Sequence, residues 1–455
     1  MARDGAGALT EPARRTEVYG EFDVVVLGGG MGGIAAAAAA GRAGVSILLV
    51  ERYGFLGGMG TAAGVTNFCG LHANVYGDIR QVVHGVTDDL LARIDRFGGL
   101  KAPHSVFGKI AAQAYDTAAF KIAADELLEA SGVKILFHAL GAGVQLSEEG
   151  TVTALLLETK SGRRAVRGRV FIDASGDGDL AAWAGAPFEL GDGRGGMLYP
   201  STMFRMNQVE PGAAAARAWE AIPGLMVEAE QNEGRRFPRK TPIVRPQKND
   251  IEWRANVTQV ANPDGSAVDG TDLDQLSYGE VEGRRQIRDS FAFLHERVPA
   301  FKNAYIVDIP PQLGIRETRR VMGDYVLTEA DVLDCASFED TVGVNGWPIE
   351  AHVAGDIVFK WPDLPHVRGF NHLPFRMLLP RGLHNVMVVG RCASMTHMGQ
   401  SAARVSGACF VMGEAAGEAA AMVAAGNGTC REVEVPALQR RLEANGAYLG
   451  TDMQR

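Results

Sequence analysis

Residues 22–51 read FDVVVLGGGMGGIAAAAAAGRAGVSILLVE, and this stretch decides the fold of the chain. Residues 22–27 form a short apolar run that ends at a glycine cluster, which is typical of a buried parallel strand. A helix of small residues follows from about Ile34 to Arg42, and residues 46–50 form a second apolar strand. The order strand, helix, strand predicts a βαβ unit and therefore an α/β fold.

The glycines of this stretch indicate what the unit binds. Gly28, Gly30 and Gly33 form the pattern GxGxxG, in which the first permits a tight turn, the second admits a pyrophosphate and the third lets the helix approach the strand. The helix N-terminus near Met31 favours phosphate. Glu51 ends the second strand, where a carboxylate accepts ribose hydroxyls. We predict a Rossmann-like dinucleotide site, with an ordinary glycine turn as the alternative.

The composition excludes several classes of protein. The chain has 455 residues, 46% of them hydrophobic, which is enough for two or three domains with buried cores. Its 54 acidic and 45 basic residues give a net charge of -9, which argues against binding nucleic acid or an anionic membrane. We see no apolar run as long as a membrane span, and predict no membrane association.

The N-terminus and the cysteines bear on location in the cell. Residues 1–20 include Arg14 and Arg15 but no apolar stretch, so we predict a disordered tail rather than an export signal. The cysteines are far apart and form no CxxC pair, which favours a reduced cytoplasmic protein with no iron–sulfur or other metal site. They are Cys69, Cys335, Cys392, Cys409 and Cys430.

Two further stretches near strand ends are rich in small residues. Residues 52–61, RYGFLGGMGT, form a loop that can pass close to a flat ligand, with a flexible surface loop as the alternative. Residues 173–179, DASGDGD, follow a predicted strand and form either a second turn at the cofactor or a helix N-cap.

The segments between these motifs predict further elements. Residues 78–97 and 116–130 have helical periodicity. Residues 134–138, 152–158 and 164–172 predict three strands in an antiparallel meander laid on the parallel sheet.

A change in composition predicts the domain organisation. Residues 200–375 are richer in Pro, Trp and Arg, and we interpret them as an inserted, mixed α+β substrate domain. Residues 385–389 then predict an apolar strand and residues 401–424 one long helix with a face of small residues. The first domain therefore consists of residues 21–199 and 376–455.

Five motifs occur in one order between residues 23 and 425: GGGMGG, ERYGFLGGMGT, IDASGDGDLAAWAGAP, GIRETRR and NVMVVGRCASMTHMGQSAARVSGACFVMGEAAGEAAA. This order resembles the FAD-dependent oxidoreductases of the glutathione-reductase structural superfamily. Within it, the chain resembles the flavin part of heterodisulfide reductase and, more distantly, fumarate reductase flavoproteins. The resemblance implies an FAD-binding domain with a parallel sheet and antiparallel meander, and FAD as the cofactor.

The resemblance also implies where parts of FAD lie. The pyrophosphate is expected at the first glycines, the ribose at Glu51, the flavin at residues 57–59, and the ribityl chain at residues 390–391. The helix after Gln400 is expected to aim its positive end at the flavin. The residues so implied are Gly28, Gly30, Met31, Gly33, Glu51, Arg52, Gly57, Gly58, Met59, Ala142, Ser175, Gly176, Asp177, Gly390, Arg391, Gln400 and Ser401.

Three departures from these relatives narrow the activity. No cysteine cluster is present for iron–sulfur centres, which argues against heterodisulfide reduction. No second nucleotide fingerprint is present, which argues against a pyridine-nucleotide disulfide reductase. Residues 57–59 read GGM where fumarate reductases have a His-Ser segment, which argues against fumarate reduction.

The candidate catalytic groups are arginines and histidines. Arg316, Arg319 and Arg320 can bind a carboxylate bidentately, or else form ion pairs with nearby acids such as Glu317. His352 and His397 are candidate general acids or bases, and His72 and His372 weaker ones; a structural hydrogen-bonding role is the alternative for each. We interpret Cys69 and Cys392 as small buried residues rather than redox-active thiols.

These features predict an enzyme, an FAD-dependent dehydrogenase or oxidase. It would remove a hydride from a small organic substrate that bears a carboxylate. The alternatives are a redox-neutral lyase, hydratase or isomerase that contains FAD, a flavin monooxygenase, and a flavin electron-transfer subunit. The expected partner is the small-molecule substrate, and a homo-oligomer is left open.

Overall fold

The computed structural model describes residues 13–147, 150–426 and 428–451. Most of the predicted N-terminal tail, residues 1–12, lies outside the described residues. The first strand begins at Glu17, four residues before the predicted start of the domain, because Glu17 pairs with Arg164 of a long neighbouring strand.

The helices of the described residues lie in the first, middle and last parts of the chain. They are α1 (Met31–Arg42), α2 (Met59–Ala62), α3 (Val86–Arg96), α4 (Thr117–Ala130), α5 (Asp179–Trp183), α6 (Ile222–Glu233), α7 (Leu273–Arg297), α8 (Glu329–Leu333), α9 (His397–Ala403), α10 (Ser406–Ala425) and α11 (Val435–Ala444).

The strands are short for the most part. They are β1 (Glu17–Leu27), β2 (Ile47–Val50), β3 (Asn67–Phe68), β4 (His72–Val75), β5 (Asp78–Gln81), β6 (His104–Val106), β7 (Ile110–Ala114), β8 (Lys134–Leu136), β9 (Leu140–Leu146), β10 (Val152–Thr159), β11 (Gly162–Asp173), β12 (Phe188–Glu189), β13 (Phe204–Asn207), β14 (Ile243–Pro246), β15 (Trp253–Asn256), β16 (Tyr305–Asp308), β17 (Arg320–Val321), β18 (Thr341–Asn345), β19 (Ile349–Val353), β20 (Asp356–Lys360), β21 (Asn371–Pro374) and β22 (Val386–Val388).

The fold is α/β, as predicted, and is built around one central sheet. Its strand order is β8-β2-β1-β11-β10-β9, and β22 pairs with the last residues of β11. β8, β2, β1, β11 and β22 are parallel, whereas β10 and β9 are antiparallel and form the meander. The prediction that residues 134–138 belong to the meander is wrong, because Leu136 pairs with Val50 in the parallel part of the sheet.

Two predicted helices are interrupted in the structure. Residues 78–81 form β5, which pairs with β4, and the helix that follows begins only at Val86. The long helix predicted over residues 401–424 is two helices, α9 and α10, separated by Arg404 and Val405. Val405 has extended backbone angles, φ -74° and ψ 166°. The chain is therefore not helical at this residue, which is the N-cap of α10.

The middle of the chain contains a second hydrophobic core. Strands β14-β15-β13-β16 form an antiparallel sheet whose core includes Phe204, Trp253, Phe293 and Phe301. Residues of β18 and β21 belong instead to the core around the central sheet, with Phe375 after them. The separate core thus covers a smaller part of the chain than the inserted domain predicted at residues 200–375.

Helices α1 and α10 approach each other closely beside the central sheet. A Cβ atom on Gly413 would lie 2.1 Å from the Gly32 carbonyl oxygen, and one on Gly417 would lie 2.2 Å from the Ala36 oxygen. Glycines are therefore required where the two backbones meet. This contact joins the first and last segments of the chain in one core, which includes residues 34–40.

Helix α10 also has the length and composition of a membrane span, which the sequence analysis did not identify. It has 20 residues and a mean hydropathy of 1.3, and 89% of the span is buried inside the protein. A buried core helix passes the same test, so this is weak evidence for a span.

We expect Gly417→Ala to lower the free energy of unfolding by about 1–3 kcal/mol, because its methyl group would overlap α1. Chemical denaturation of the two proteins measures the difference. The matched control is Gly224→Ala on α6, where a Cβ atom meets nothing within 4 Å; this change should be neutral or stabilising. Equal stability of Gly417→Ala and the wild type would contradict the close contact.

Candidate functional site

A cavity of about 410 Å³ lies at the carboxyl ends of the parallel strands. Leu27, Val50, Ala174 and Val389, at or just beyond the ends of β1, β2, β11 and β22, all line it. The cavity extends from there to residues of β14, β15 and β19. Ligands of open α/β sheets bind at this edge, so we take this cavity as the functional site.

The first glycines form one end of the cavity. Gly28, Gly30 and Met31 line it, as expected. No side chain caps α1 and no acid lies in its first turn, so its amides are available to an anion. A Cβ atom on Gly30 would have only Gly58 Cα nearby, at 3.8 Å, and would project into open space. Gly33 does not line the cavity; its Cβ would lie 1.9 Å from the Gly28 oxygen, so it serves packing.

Glu51 is buried and supports the glycine turn. Its Oε2 accepts a hydrogen bond from the Gly29 N–H at 2.7 Å, and its Oε1 accepts one from the Tyr53 N–H at 2.9 Å. Each carboxylate oxygen has a further lone pair for a hydroxyl. Arg52 also lines the cavity and donates to Gln312 Oε1 at 2.9 Å.

The second glycine loop lies against the first. Gly57, Gly58 and Met59 line the cavity. Gly57 and Gly58 have positive φ angles of 110° and 51°, and a Cβ on Gly58 would lie 2.8 Å from Gly30 Cα. Only glycine fits both the backbone conformation and the close approach.

The turn after β11 lines the cavity with the predicted residues Ser175 and Gly176 and with Ala174 before them. Asp177 does not line the cavity. Its Oδ1 accepts a hydrogen bond from Arg391 Nη2 at 2.9 Å, so it orients Arg391, which lines the cavity with Gly390. Ala142 is also outside; the chain lines the cavity at residues 139–141 and leaves it along β9.

Gln400 and Ser401 are placed differently from the prediction. Both are fully buried in α9 and neither lines the cavity. Gln400 Nε2 donates to the Arg391 oxygen at 2.9 Å, so it supports the lining residue. Because the helix is interrupted at Val405, the N-terminus at the cavity is that of α10, through Val405 and Ser406.

Arg316 is the arginine of the GIRETRR motif that lines the cavity. Its Nη1 donates to the Tyr199 oxygen at 2.7 Å and to Ser201 Oγ at 2.8 Å. Burial lowers the pKa of Arg316 most strongly, and the positive charge of Arg404 lowers it further, while Glu350 offsets part of this effect.

The other two arginines of the motif serve structure. Arg319 pairs with Asp179 at 2.8 Å, and Arg320 is buried and pairs with Glu317. For these two arginines, the structure agrees with the alternative prediction, that they form ion pairs with nearby acids.

His352 lies beside a partly buried carboxylate at the other end of the cavity. His352 and Glu350 are two residues apart on β19, and both line the cavity. His352 Nε2 lies 3.1 Å from Glu350 Oε1, and Trp347 Nε1 donates to Glu350 Oε2 at 2.7 Å. A carboxylate only accepts, so Nε2 carries the proton and Nδ1 is an acceptor. Burial and the charge of Arg316 lower the pKa of His352 well below its usual value, so the ring is neutral at pH 7.

The remaining candidate histidines lie outside the cavity. His397 Nδ1 is within 3.0 Å of the carboxylate of Glu317, a structural interaction. The structure therefore does not place His397 at the cavity, and its role as a catalytic group stays a prediction. His72 and His372 are buried elsewhere in the chain.

Several charged lining residues were not found from the sequence. The Nε atoms of Arg254 and Arg404 are buried and have no hydrogen-bond partner among the described residues. Arg254 reaches the cavity from β15 and belongs to no motif, whereas Arg404 lies within the last motif, in the link between α9 and α10. The others are Arg245, His104 and Glu350.

The cysteines have different positions. All five are free, and Cys69 lines the cavity while Cys392 is buried outside it. Burial raises the pKa of Cys69 to about 12, so its thiol is protonated at neutral pH.

A family model for FAD dependent oxidoreductases matches residues 23–442. The chain belongs to this family. Its cofactor is FAD, and the cavity fits this group: free amides and an open Gly30 face the pyrophosphate, and Glu51 offers lone pairs to a ribose. A comparison with curated proteins gives no match.

Solved structures with similar folds are distant from this oxidoreductase. A geranylgeranyl bacteriochlorophyll reductase-like protein from Thermoplasma acidophilum has 14% identity and a TM-score of 0.48, over 93% of this chain and 82% of that one. The p-nitrophenol 4-monooxygenase PnpA from Pseudomonas putida DLL-E4 has 13% identity and a TM-score of 0.47, over 95% and 90%. At these values the two structures indicate nothing about the substrate.

We expect Gly30→Ala to weaken FAD binding by about tenfold or more, because the added methyl group projects into the space for the pyrophosphate. The apoprotein should unfold at the wild-type temperature. Fluorescence titration of apoprotein with FAD and thermal unfolding measure the two effects. Gly33→Ala is the comparison, and it should lower the unfolding temperature. Wild-type FAD affinity in Gly30→Ala would contradict this placement.

Proposed function

We propose that this FAD-dependent oxidoreductase removes a hydride from a small substrate that bears a carboxylate. The observation that carries the proposal is the excess of positive charge beside His352. Arg316, Arg254 and Arg404 line this part of the cavity, where Glu350 is the one lining carboxylate among the described residues.

A bound carboxylate would compensate these charges. Unpaired guanidinium groups are costly to bury, and the arrangement here leaves N–H groups of Arg254 and Arg404 without partners. Charge-assisted hydrogen bonds from guanidinium to carboxylate are short and strong, and two parallel bonds fix the orientation of the anion. Arg316 is the residue we assign to this contact, because its Nη1 is already held in place by Tyr199 and Ser201.

The proposed oxidation takes a hydride from one atom of the substrate and a proton from the adjoining atom. FAD supplies the hydride acceptor when bound in the cavity. His352 Nδ1 accepts the proton, since Nε2 is occupied by its hydrogen bond to Glu350. The neighbouring Glu350 carboxylate stabilises the imidazolium that forms.

The alternative functions predicted from the sequence require different co-reactants or partners for turnover. A redox-neutral enzyme would turn over without an electron acceptor, an electron-transfer subunit would need a protein partner for full reduction, and a monooxygenase would need NAD(P)H and oxygen. Anaerobic addition of carboxylic acids to the FAD-loaded protein tests the proposal, which requires bleaching of the flavin. The narrower resemblance to heterodisulfide reductase and the cytoplasmic location stay predictions.

We expect Arg316→Ala to raise the substrate KM about 10- to 100-fold with FAD still bound, because a charged hydrogen bond is worth about 1.5–3 kcal/mol. Steady-state kinetics and the flavin spectrum measure these effects. Arg376→Ala is the control: Arg376 is half exposed, pairs with Asp340 and does not line the cavity. Loss of FAD in Arg316→Ala would show that Arg316 is structural.

We expect kcat/KM to fall as the pH is lowered, with an inflection below 6.5. The pKa of His352 is lowered in the folded protein, so the ring remains a base until the pH drops below the usual histidine value. His352→Gln should lower kcat about 10²- to 10⁴-fold and remove this limb of the profile. His397→Gln should keep the limb, because His397 lies outside the cavity. The opposite pattern would assign the base to His397.

A further inference from the structure

Two arginines lie directly opposite each other on one face of the inserted sheet. Arg245 of β14 and Arg254 of β15 are paired in register, and both line the cavity. Directly opposite side chains of an antiparallel pair share a face and are close, and like charges there repel. The sheet therefore accepts an unfavourable interaction at this position.

Neither arginine has a carboxylate partner among the described residues. Arg245 donates to the Val244 oxygen at 2.8 Å and lies over the Trp219 ring. Arg254 is 4% exposed; its Nη1 donates to the Val65 oxygen at 2.5 Å, and its Nε has no partner. Burial and Arg254 lower the pKa of Arg245 to about 10, as expected where an anion is missing.

The same sheet provides carboxylates for a third arginine. Arg205 of β13 is paired in register with Arg254 on its other side. It contacts Glu252 at 2.7 Å and Asp308 at 3.2 Å, and it does not line the cavity. The sheet thus neutralises the arginine outside the cavity and leaves the two inside it without acids.

His104 of β6 faces the same two arginines across the cavity. Its Nδ1 is buried and has no hydrogen-bond partner among the described residues. Burial, with the charges of Lys101, Arg254 and Arg245, lowers the pKa of His104 to about 4, so its ring is neutral. A neutral imidazole can donate one hydrogen bond to an anion beside the two guanidinium groups.

This group adjoins the group around His352, and Arg254 lies between them, because its charge acts on both Arg245 and Arg316. Arg316 and His352 lie with Glu350 and Arg404, on β19, the link before α10 and the loop at residue 316. Arg245 and Arg254 lie on the β14–β15 hairpin of the inserted sheet. The cavity connects the two groups.

We propose that Arg245, Arg254 and His104 form a second anion subsite, and that the substrate is a dicarboxylate or another small molecule with two anionic groups. This inference rests on the proposed function, in which Arg316 binds the first carboxylate. One anion then compensates each group of guanidiniums, and the substrate is held at both ends.

The test compares binding of paired ligands to the FAD-loaded protein by calorimetry at low ionic strength. The probes are linear monocarboxylates and dicarboxylates of equal chain length, together with carboxylates that carry a terminal phosphonate. We expect the wild type to bind a dianion of suitable length at least about tenfold more tightly than the monocarboxylate. Preference for dicarboxylates or for phosphonates identifies which second anion the subsite takes.

Arg245→Gln should reduce this preference to about twofold or less while leaving monocarboxylate affinity unchanged. Arg217→Gln is the matched control. Arg217 is 65% exposed, pairs with Glu220 and contributes charge near Arg245, but it does not line the cavity. It should keep the preference for dianions. Equal weakening of monocarboxylates and dianions by Arg245→Gln would overturn the second subsite.

Thermal unfolding without substrate gives an independent result. Arg245→Gln should raise the unfolding temperature, because it removes a partly buried charge directly opposite that of Arg254. A lower unfolding temperature would show that Arg245 stabilises the fold, and would overturn the inference. If instead Arg316→Ala leaves monocarboxylate binding intact while Arg245→Gln abolishes the preference for dianions, the proposed function fails and the anion subsite stands.

Discussion

The close contact between α1 and α10 is the constraint on which the rest of the structure depends. Along the two helices, Gly32 contacts Gly413 and, one turn later, Ala36 contacts Gly417. The two helices therefore run parallel and begin at the same end. Both N-termini therefore lie at the carboxyl edge of the sheet, one beside the first glycines and one at Val405. The positive ends of two helices make this edge suited to anionic ligands.

The two ends of the cavity attract anions by different means. At the dinucleotide end, backbone amides and helix N-termini carry partial charges that cost little to bury. At the far end, full charges of arginines lie in the cavity wall, which is unfavourable without a ligand. At the dinucleotide end the backbones of Gly30 and Gly58 also approach closely, in a place where no Cβ atom occupies the cavity. Both ends of the cavity thus present positive charge, which favours an anionic cofactor at one end and an acidic substrate at the other.

The sequence predicted the part of the site that local spacing determines. Gly28, Gly30 and Glu51 lie within one βαβ unit, so their spacing along the chain determines their relative positions in the structure. The sequence predicted Gln400 and His397 at the site, but they lie outside the cavity lining, because tertiary contacts determine where α9 ends and α10 begins. One such contact is at Gly407, where a Cβ atom would lie 2.1 Å from the Gly70 oxygen. Arg245 and Arg254 carry no motif, since only the pairing of two strands makes them neighbours.

The close packing of α10 on α1 also affects how the protein is made. Residues that line the glycine-rich end of the cavity come from four stretches, 28–60, 139–141, 174–176 and 389–409, and the last of these emerges from the ribosome after most of the chain. Until then the alanine face of α1 has no helix to cover it, and the end of β11 lacks its partner β22. The wall of the cofactor site is therefore complete only after α10 has been synthesised, which makes cofactor capture a late step in biogenesis.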